Sequence, residues 1–586
     1  MASHSPRKAS VEAVAPVSQA PAKAPRWLRP GILALAALVL VGWFSTESAD
    51  SDTWWHLKTG EYIVRNHSLP VPDPFSYTAY LGKPAYPGEE TTRDFNLKHE
   101  WLAQVIFYLA YAAGGFPGLV LLRVAILSAY CLLVGLVVFR RTGGFYRALI
   151  AAGASALVAG FFLSDRPYQL TYLLLAATVA ILEFRRWLWL LPAMMFVWAN
   201  LHGGFFLGLV VLGVYCAEAL FLRSQKRPLA DDRKLWMVTA ASIVAAAVNP
   251  NGYLTIPVLL AYRHSQLQRT LFEWAHGPLW PPNLISCLLF AAAAVLVWQR
   301  PKTRLTDWVL VGLFGAAYVS AVRNTELVGL IAPIAIASYL PWKWRVPIAA
   351  EFAAAAVVLA LFGAERVEGR GLQFRAAEWK YPSGAADFLL AHRITGHLLN
   401  SYEKGGYLIW RLWPEQRVFV DGRALNESVY SDYQRIIRYA SAVDGPGAHD
   451  LLDRYGIEVI LMNGFEVNSG NPYALPLALA DPSQSEHKEW SLVYQDGQAV
   501  IFMRHPPPNV PPIPSQMVLA SLEAQCQVIL ENDPQRPRCA RALGRLYTRM
   551  GDAARARRWM GLFMERRQDH DPADDELYRR LQTAAP

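Results

Sequence analysis

The chain is poor in charge and in cysteine. Of its 586 residues only 18% are Asp, Glu, Lys or Arg, while 53% are hydrophobic. That balance is too apolar for an ordinary soluble enzyme. Five cysteines are too few to staple a disulfide-built fold, and no Cys/His spacing of a zinc site occurs. Gly-rich phosphate loops and nucleophile elbows are also missing, so nothing points to P-loop nucleotide chemistry or to a serine hydrolase. No small-residue cleavage site follows the first apolar run, which ends at Phe44, and that run reads as an anchor and not as a signal peptide.

Long apolar runs dominate what is present. They cover 31–44, 119–139, 148–163, 170–182, 187–199, 205–222, 235–248, 285–298, 308–322, 327–340 and 346–362. We expect about eleven transmembrane helices, several of them shorter than the roughly 20 residues that span hydrocarbon unaided. The net charge of +9 follows membrane topology, and no nucleic-acid partner is expected. Arg140, Arg141 and Arg147, then Arg185 and Arg186, then Arg223 to Lys234, then Arg300 to Arg304 occupy alternate connections. The positive-inside rule therefore places the N-terminus in the cytoplasm and everything after Phe362 outside. Segment 101–113 is apolar but short. If it crossed, the basic loops would change sides, so it is expected to be an interfacial or re-entrant helix with Glu100 near its start.

Four regions follow. Residues 1–29, rich in Ala, Pro and Ser, read as a disordered cytoplasmic tail. Residues 30–364 form the membrane domain with a long outer loop at 46–115. Residues 365–505 mix strand and helix signals: strands at 397–400, 417–420, 458–462 and 499–503, and a helix at 385–391. That alternation predicts a small α/β domain with a partly parallel sheet. A proline-rich linker and a short helical tail resembling one tetratricopeptide unit make up 506–586. Cys131, Cys216 and Cys287 fall inside apolar runs and read as small core residues. An oxidising compartment would permit a Cys526–Cys539 bridge.

The unusual polar residues gather at one membrane level, which suggests a site there. Ser51-Asp52-Thr53-Trp54-Trp55-His56-Leu57 sets a carboxylate among indoles at the end of the first span. Asp52 reads either as a helix cap or as a general base on an acceptor hydroxyl. His56, one helical turn on, could orient Asp52, share a metal with it or contact headgroups. Asp73, between Pro72 and Pro74, reads first as a turn residue, and Glu100 as a cap. Arg166 and Arg323 stand in nearly bare outer loops. They either snorkel, with Arg166 paired to Asp165, or hold a lipid-linked phosphate with the planar guanidinium fork. Asn200 and His202 lie beside the close-approach glycines Gly203 and Gly204. Asn249-Pro250 and Glu273-Trp274 are further polar marks on that side. Gly405-Gly406-Tyr407 and Asp421-Gly422-Arg423 read first as turns at strand ends.

Asp52-Thr53-Trp54-Trp55-His56-Leu57-Lys58-Thr59-Gly60, Pro72-Asp73-Pro74-Phe75-Ser76-Tyr77-Thr78 and Glu100-Trp101-Leu102 together resemble the first outer loop of bacterial integral-membrane glycosyltransferases of the GT-C superfamily. Asn200-Leu201-His202-Gly203 and the run from Gly405 to Arg423 resemble an uncharacterised branch of that group. The resemblance implies a polytopic α-helical membrane fold with an outer soluble domain in the bacterial inner membrane. It implies transfer of a sugar from a polyprenyl-phosphate donor to a glycan, lipid or protein acceptor. It further implies Asp52 as the catalytic acid position, and Arg166 and Arg323 as carrier-phosphate ligands. His56, Asp73, Glu100, Asn200, His202 and Asn249 are the remaining candidates for substrate or carrier contact. Membrane lipids, and a protein partner at the helical tail, complete the expected partners. No cofactor is indicated, and a divalent metal is left open without a ligand spacing to support it. Many relatives carry a paired acid at the loop motif, whereas here Thr53 and Trp54 follow Asp52. Two alternatives remain: a transport component, with Arg123, Glu183, Glu218 and Glu351 as its charges within the membrane, and a non-catalytic scaffold of envelope polysaccharide assembly.

Overall fold

In the computed structural model, residues 25–228, 231–267, 271–341, 347–367, 369, 371–568 and 570–583 are described. Most of the expected disordered N-terminal tail, 1–24, falls outside them. The apolar runs form helices. Helical stretches Glu89–Thr142 and Phe205–Ser224 are long and apolar enough to cross a membrane, and seven further apolar helices have 10–17 residues. The centre of the bundle is helix Thr325–Tyr339, buried at every position from Thr325 to Ala335. A helix that is apolar on all sides has no solvent face to offer and packs inside. Gly329 lets a neighbour close in on this helix, since a Cβ there would collide with Val158; elsewhere in the bundle a Cβ on Gly208 would collide with Trp198.

Four helices frame the polar end: α1 (Leu28–Phe44), α2 (Asp52–Asn66), α3 (Glu89–Asn96) and α4 (Trp101–Thr142). The first part of α4 was expected to lie apart from the following span. The helix indeed breaks at Gly115, whose backbone (φ 60°, ψ −150°) is not helical, and Pro117 follows. Beyond the break the chain folds back so tightly that Gly118 touches the Ala110 carbonyl. The first part of α4 packs on α2, where Gly60 meets the Gln104 backbone with no room for a side chain.

Four charges expected within the membrane, Arg123, Glu183, Glu218 and Glu351, are paired, whereas Glu326 Oε2 at the start of the central helix is buried without a hydrogen-bond partner. Arg123 Nε donates to the Phe44 carbonyl at 3.0 Å and Nη1 to Asp165 at 3.1 Å. At the opposite helix ends, Arg141 pairs with Glu183 and Asp307, and Arg304 with Glu183 and Glu218. Glu351 pairs with Arg29. Each of these pairs offsets part of the cost of burying its charges.

The soluble domain carries one sheet, β1 (His397–Asn400), β2 (Ile457–Met462), β3 (Ser491–Gln495) and β4 (Val500–Met503), in the order β1-β2-β4-β3. β1 and β2 are parallel, with Leu399 opposite Ile460, and the other two pairings are antiparallel. Two expectations need correction. Segment 417–420 is not a strand of this sheet. Val418 gives its backbone N–H to Phe75 at 3.1 Å and takes one from Tyr77, so its ladder groups are spent on the long loop. β3 was not anticipated; it is the first arm of a hairpin through Asp496-Gly497. The tail has four helices, Met517–Asn532, Arg538–Met550, Ala553–Arg566 and Pro572–Thr583, and Cys526 and Cys539 are bonded. Cys287 is exposed, not a core residue.

The bridge closes a loop of sequence separation 13. Replacing both cysteines by serine should lower tail stability by about 2–4 kcal/mol through the freed unfolded chain. Urea unfolding of the oxidised protein and of the double variant, followed by proteolysis of the tail, measures this.

Candidate functional site

A cavity of about 660 Å³ lies between the helix bundle and the soluble domain. Its walls include Asp50, Asp52 and His56 from the start of α2, His99 and Glu100 before α4, Arg166, His202 and Arg323 from helix junctions, and Glu273 from loop 249–283. Tyr402, Glu403 and Gly422 of the soluble domain form its roof. A second hollow of about 20 Å³ beside Ser76 and Tyr430 has room for a water molecule only.

Arg166 organises one end. Its Nη2 lies 2.9 Å from Asp52 Oδ2, its Nε 2.8 Å from Asp50 Oδ2 and its Nη1 3.6 Å from Glu273 Oε2. The Nε contact is close but poorly aligned, so it acts as an ion pair more than as a hydrogen bond. Arg323 holds the other oxygen of Glu273 at 3.2 Å and stacks over Trp274, 4.7 Å from the ring centre. Asp165 is not the partner of Arg166, since Arg123 takes it.

Asp50 and Asp52 sit at the N-terminus of α2, and Asp50 accepts the Asp52 backbone N–H at 2.8 Å. Burial is the largest influence on both. For Asp50 it is outweighed by Arg166, which holds the carboxyl below the usual range. For Asp52 burial prevails over Arg166, and the neighbouring Asp50 and Glu273 add to it, raising the group to about 6. The two carboxylates therefore part company around one guanidinium. Asp50 also corrects the expectation of an unpaired acid: the second acid is present, two residues before Asp52.

Glu100 organises the other end. His99 Nε2 lies 3.1 Å and His202 Nε2 3.4 Å from its Oε1, and His56 Nδ1 lies 3.8 Å from Oε2. Burial opposes ionisation of Glu100, but the three imidazoles outweigh it and hold the carboxyl well below the usual range. Burial pushes His56 down to about 3 and His202 to about 4. Both rings are thus neutral at neutral pH. The tautomer of His202 is set by its surroundings: Nδ1 accepts the Gly204 N–H at 2.9 Å, which leaves the proton on Nε2, facing Glu100. Thr171, itself bonded by Trp198 Nε1, lies 2.9 Å from the same Nδ1.

Six of the nine expected site residues, Asp52, His56, Glu100, Arg166, His202 and Arg323, thus share one cavity. Three do not line it. Asp73 is fully buried against Arg423, which also binds Asp421 at 2.6 and 2.7 Å, and it accepts the Ser76 N–H at 2.9 Å. It clamps the long loop to the soluble domain. Asn200 accepts Trp101 Nε1 at 3.0 Å and donates to the Phe196 and Val248 carbonyls. Asn249 closes its own turn through Ala246, Asn251 and Gly252. Both asparagines spend their amide N–H groups on backbone carbonyls.

The sequence reading missed Asp50 and the roof. The Asp-Ser-Asp spacing at 50–52 was a usable signal. The two motifs read as turns touch the site directly: a Cβ on Gly422 would collide with the Asp52 carboxylate, and one on Gly406 with the Ser51 carbonyl. Trp54 completes the seat, with its ring packed edge-on against Phe116, Tyr381 and Tyr407. As for a divalent metal, no group of three or more His, Cys, Asp or Glu among the described residues is arranged to hold one.

No family model matches the chain, and no curated protein matches it. Among solved structures, the archaeal oligosaccharyltransferase AglB from Archaeoglobus fulgidus, in complex with an inhibitory peptide and a dolichol-phosphate, is similar at 12% identity and a TM-score of 0.46, over 84% of this chain and 77% of that one.

Arg423→Ala should strand Asp73 and Asp421 as buried unpaired carboxylates and destabilise the junction by about 3–5 kcal/mol or more. Arg423→Ala with Asp73→Asn and Asp421→Asn should recover most of that loss, as judged by thermal unfolding of the detergent-purified protein.

Proposed function

We propose that the protein is a membrane glycosyltransferase that takes a sugar from a polyprenyl-phosphate carrier and delivers it to a hydroxyl or amide acceptor. The observation that carries this reading is the pairing of Asp52 with Arg166 in a roofed cavity at the polar ends of apolar helices. Glycosyl transfer needs a base for the acceptor proton and a cation for the departing phosphate. Asp52 supplies the first and Arg166 with Arg323 the second. In the step, the acceptor oxygen or nitrogen forms a bond to the anomeric carbon and the carbon–oxygen bond to the phosphate breaks. The acceptor proton passes to Asp52, and the electron pair leaves with the carrier phosphate between the guanidinium groups. His202, His56 and Glu100 line the opposite wall, where neutral imidazole N–H and N groups suit sugar or acceptor hydroxyls. The soluble domain roofs the cavity, which limits the access of water. On this reading the site lies on the extracytoplasmic side of a bacterial inner membrane and the helical tail offers a surface to a protein partner.

Release of free polyprenyl phosphate from synthetic polyprenyl-phosphate sugars, followed by mass spectrometry in proteoliposomes, reports turnover whatever the acceptor. Asp52→Asn should cut it about a hundredfold or more while insertion and unfolding temperature stay unchanged. Equal turnover by that variant would refute the assignment.

Because the ionised form of Asp52 is the base, activity should fall as the pH drops through about 6. Asp50→Asn removes a like charge and frees more of Arg166, so both effects lower the Asp52 value and the acid limb should move to lower pH. A kcat/KM profile between pH 4.5 and 8 checks the sign.

A further inference from the structure

Glu273 occupies the place between the two guanidinium groups. One carboxylate oxygen faces Arg166 at 3.6 Å and the other faces Arg323 at 3.2 Å. Its side chain remains 35% exposed, on the open side of the cavity. The backbone around it is fixed. Val322 N–H donates to the Ala275 carbonyl at 2.8 Å, Tyr318 hydroxyl to Pro278 at 3.1 Å, and Gly277 is pressed against the Tyr318 carbonyl. Only the side chain of Glu273 needs to move for the two guanidinium groups to accept another anion.

The charges at this end can be counted. Arg166 and Arg323 face Asp50, Asp52 and Glu273. Arg423 also lines the cavity but is committed to Asp73 and Asp421. Glu403 bonds to Asn463 and Tyr473, and Glu100 is ringed by imidazoles. Among the described lining residues no further guanidinium or ammonium group is present. A singly charged phosphodiester that replaces the Glu273 carboxylate leaves the balance unchanged. A diphosphate adds a negative charge beside Asp50 and Asp52 with nothing to offset it, and juxtaposed like charges are strongly unfavourable.

We propose that Glu273 is an internal counter-anion that the donor phosphate displaces, and that it makes the site select a sugar held through a single phosphodiester over one held through a diphosphate. Glu273 is a specificity-determining residue in this scheme. It takes no part in the bond changes. The proposal rests on the reading of Arg166 and Arg323 as the phosphate site.

Full-length protein in phosphatidylcholine nanodiscs is titrated with two probes that need no sugar, farnesyl methyl phosphate and farnesyl methyl diphosphate. The wild type should bind the phosphodiester about tenfold more tightly or better. Glu273→Gln should tighten both, the diphosphate by about tenfold more than the diester, so that the preference closes. Glu273→Asp, which keeps the charge, should retain the preference. Unchanged affinities in Glu273→Gln, or an equal gain for both probes, overturn the proposal, provided that Arg166→Ala with Arg323→Ala abolishes binding. If that double variant binds both probes as the wild type does, the phosphate-site reading itself fails, and this proposal with it.

Discussion

The arrangement of the cavity depends on one buried guanidinium. Arg166 draws Asp50 and Asp52 from the start of α2 and Glu273 from a loop more than a hundred residues beyond Arg166. Three carboxylates around one cation cannot all be satisfied equally. Taking such charges out of water is costly, and only close, multiple contacts repay it. The compromise is visible in the geometry. Asp50 and Asp52 lie within 2.9 Å, whereas Glu273 stays at 3.6 Å and is shared with Arg323. The segment that carries least of the pairing is also the most exposed. The site therefore has a rigid side, made by α2, and a yielding side chain, Glu273, on a fixed loop.

The rigid side is held from above by the soluble domain, and the means are steric. Gly406 and Gly422 let backbone come against Ser51 and Asp52 where any side chain would intrude. Trp54 turns its ring into a nest of Phe116, Tyr381 and Tyr407, while Trp55, next in sequence, faces the cavity. Adjacent helical positions point about 100° apart, so one indole can anchor the roof while the other lines the space beneath it. Arg423 extends the junction by tying Asp73 of the long loop to Asp421. The soluble domain is in this sense a wall of the site and not an appendage to the bundle.

What could be read from the sequence divides along a physical line. Asp52, His56 and the outer arginines stood out because polar groups beside apolar runs need a reason to be there, and assigning sides to the loops put them on one face. Three of the strands expected in the soluble domain appear for a similar reason, since each is a short apolar run bounded by polar residues. Segment 417–420 has the same local pattern, but its partner is the loop at 75–77, and pairing choice is not a local property. Asp73 reads first as a turn residue, and it does accept the Phe75 and Ser76 N–H groups, but its pairing with Arg423, 350 positions away, has no local signal. The glycines at 405, 406 and 422 were explained well enough as turns. Nothing local distinguishes a glycine that turns the chain from one that makes room for a carboxylate on another domain.

The division of proton affinity among the acids decides which of them suits the role of base under the glycosyl-transfer reading. Glu100, ringed by three imidazoles, is held far below the usual carboxylate range, which makes it a weak base and a good acceptor of hydrogen bonds. Asp50 is held low by the same Arg166 that fails to lower Asp52. Asp52 alone of the three is raised, to about 6. A base works best when its own value lies near the working pH. Burial beneath Gly422 and the like charge of Asp50 therefore do for Asp52 what its identity as an aspartate does not. The second acid of the pair is then no spare copy of the first: by staying ionised, it keeps its neighbour basic.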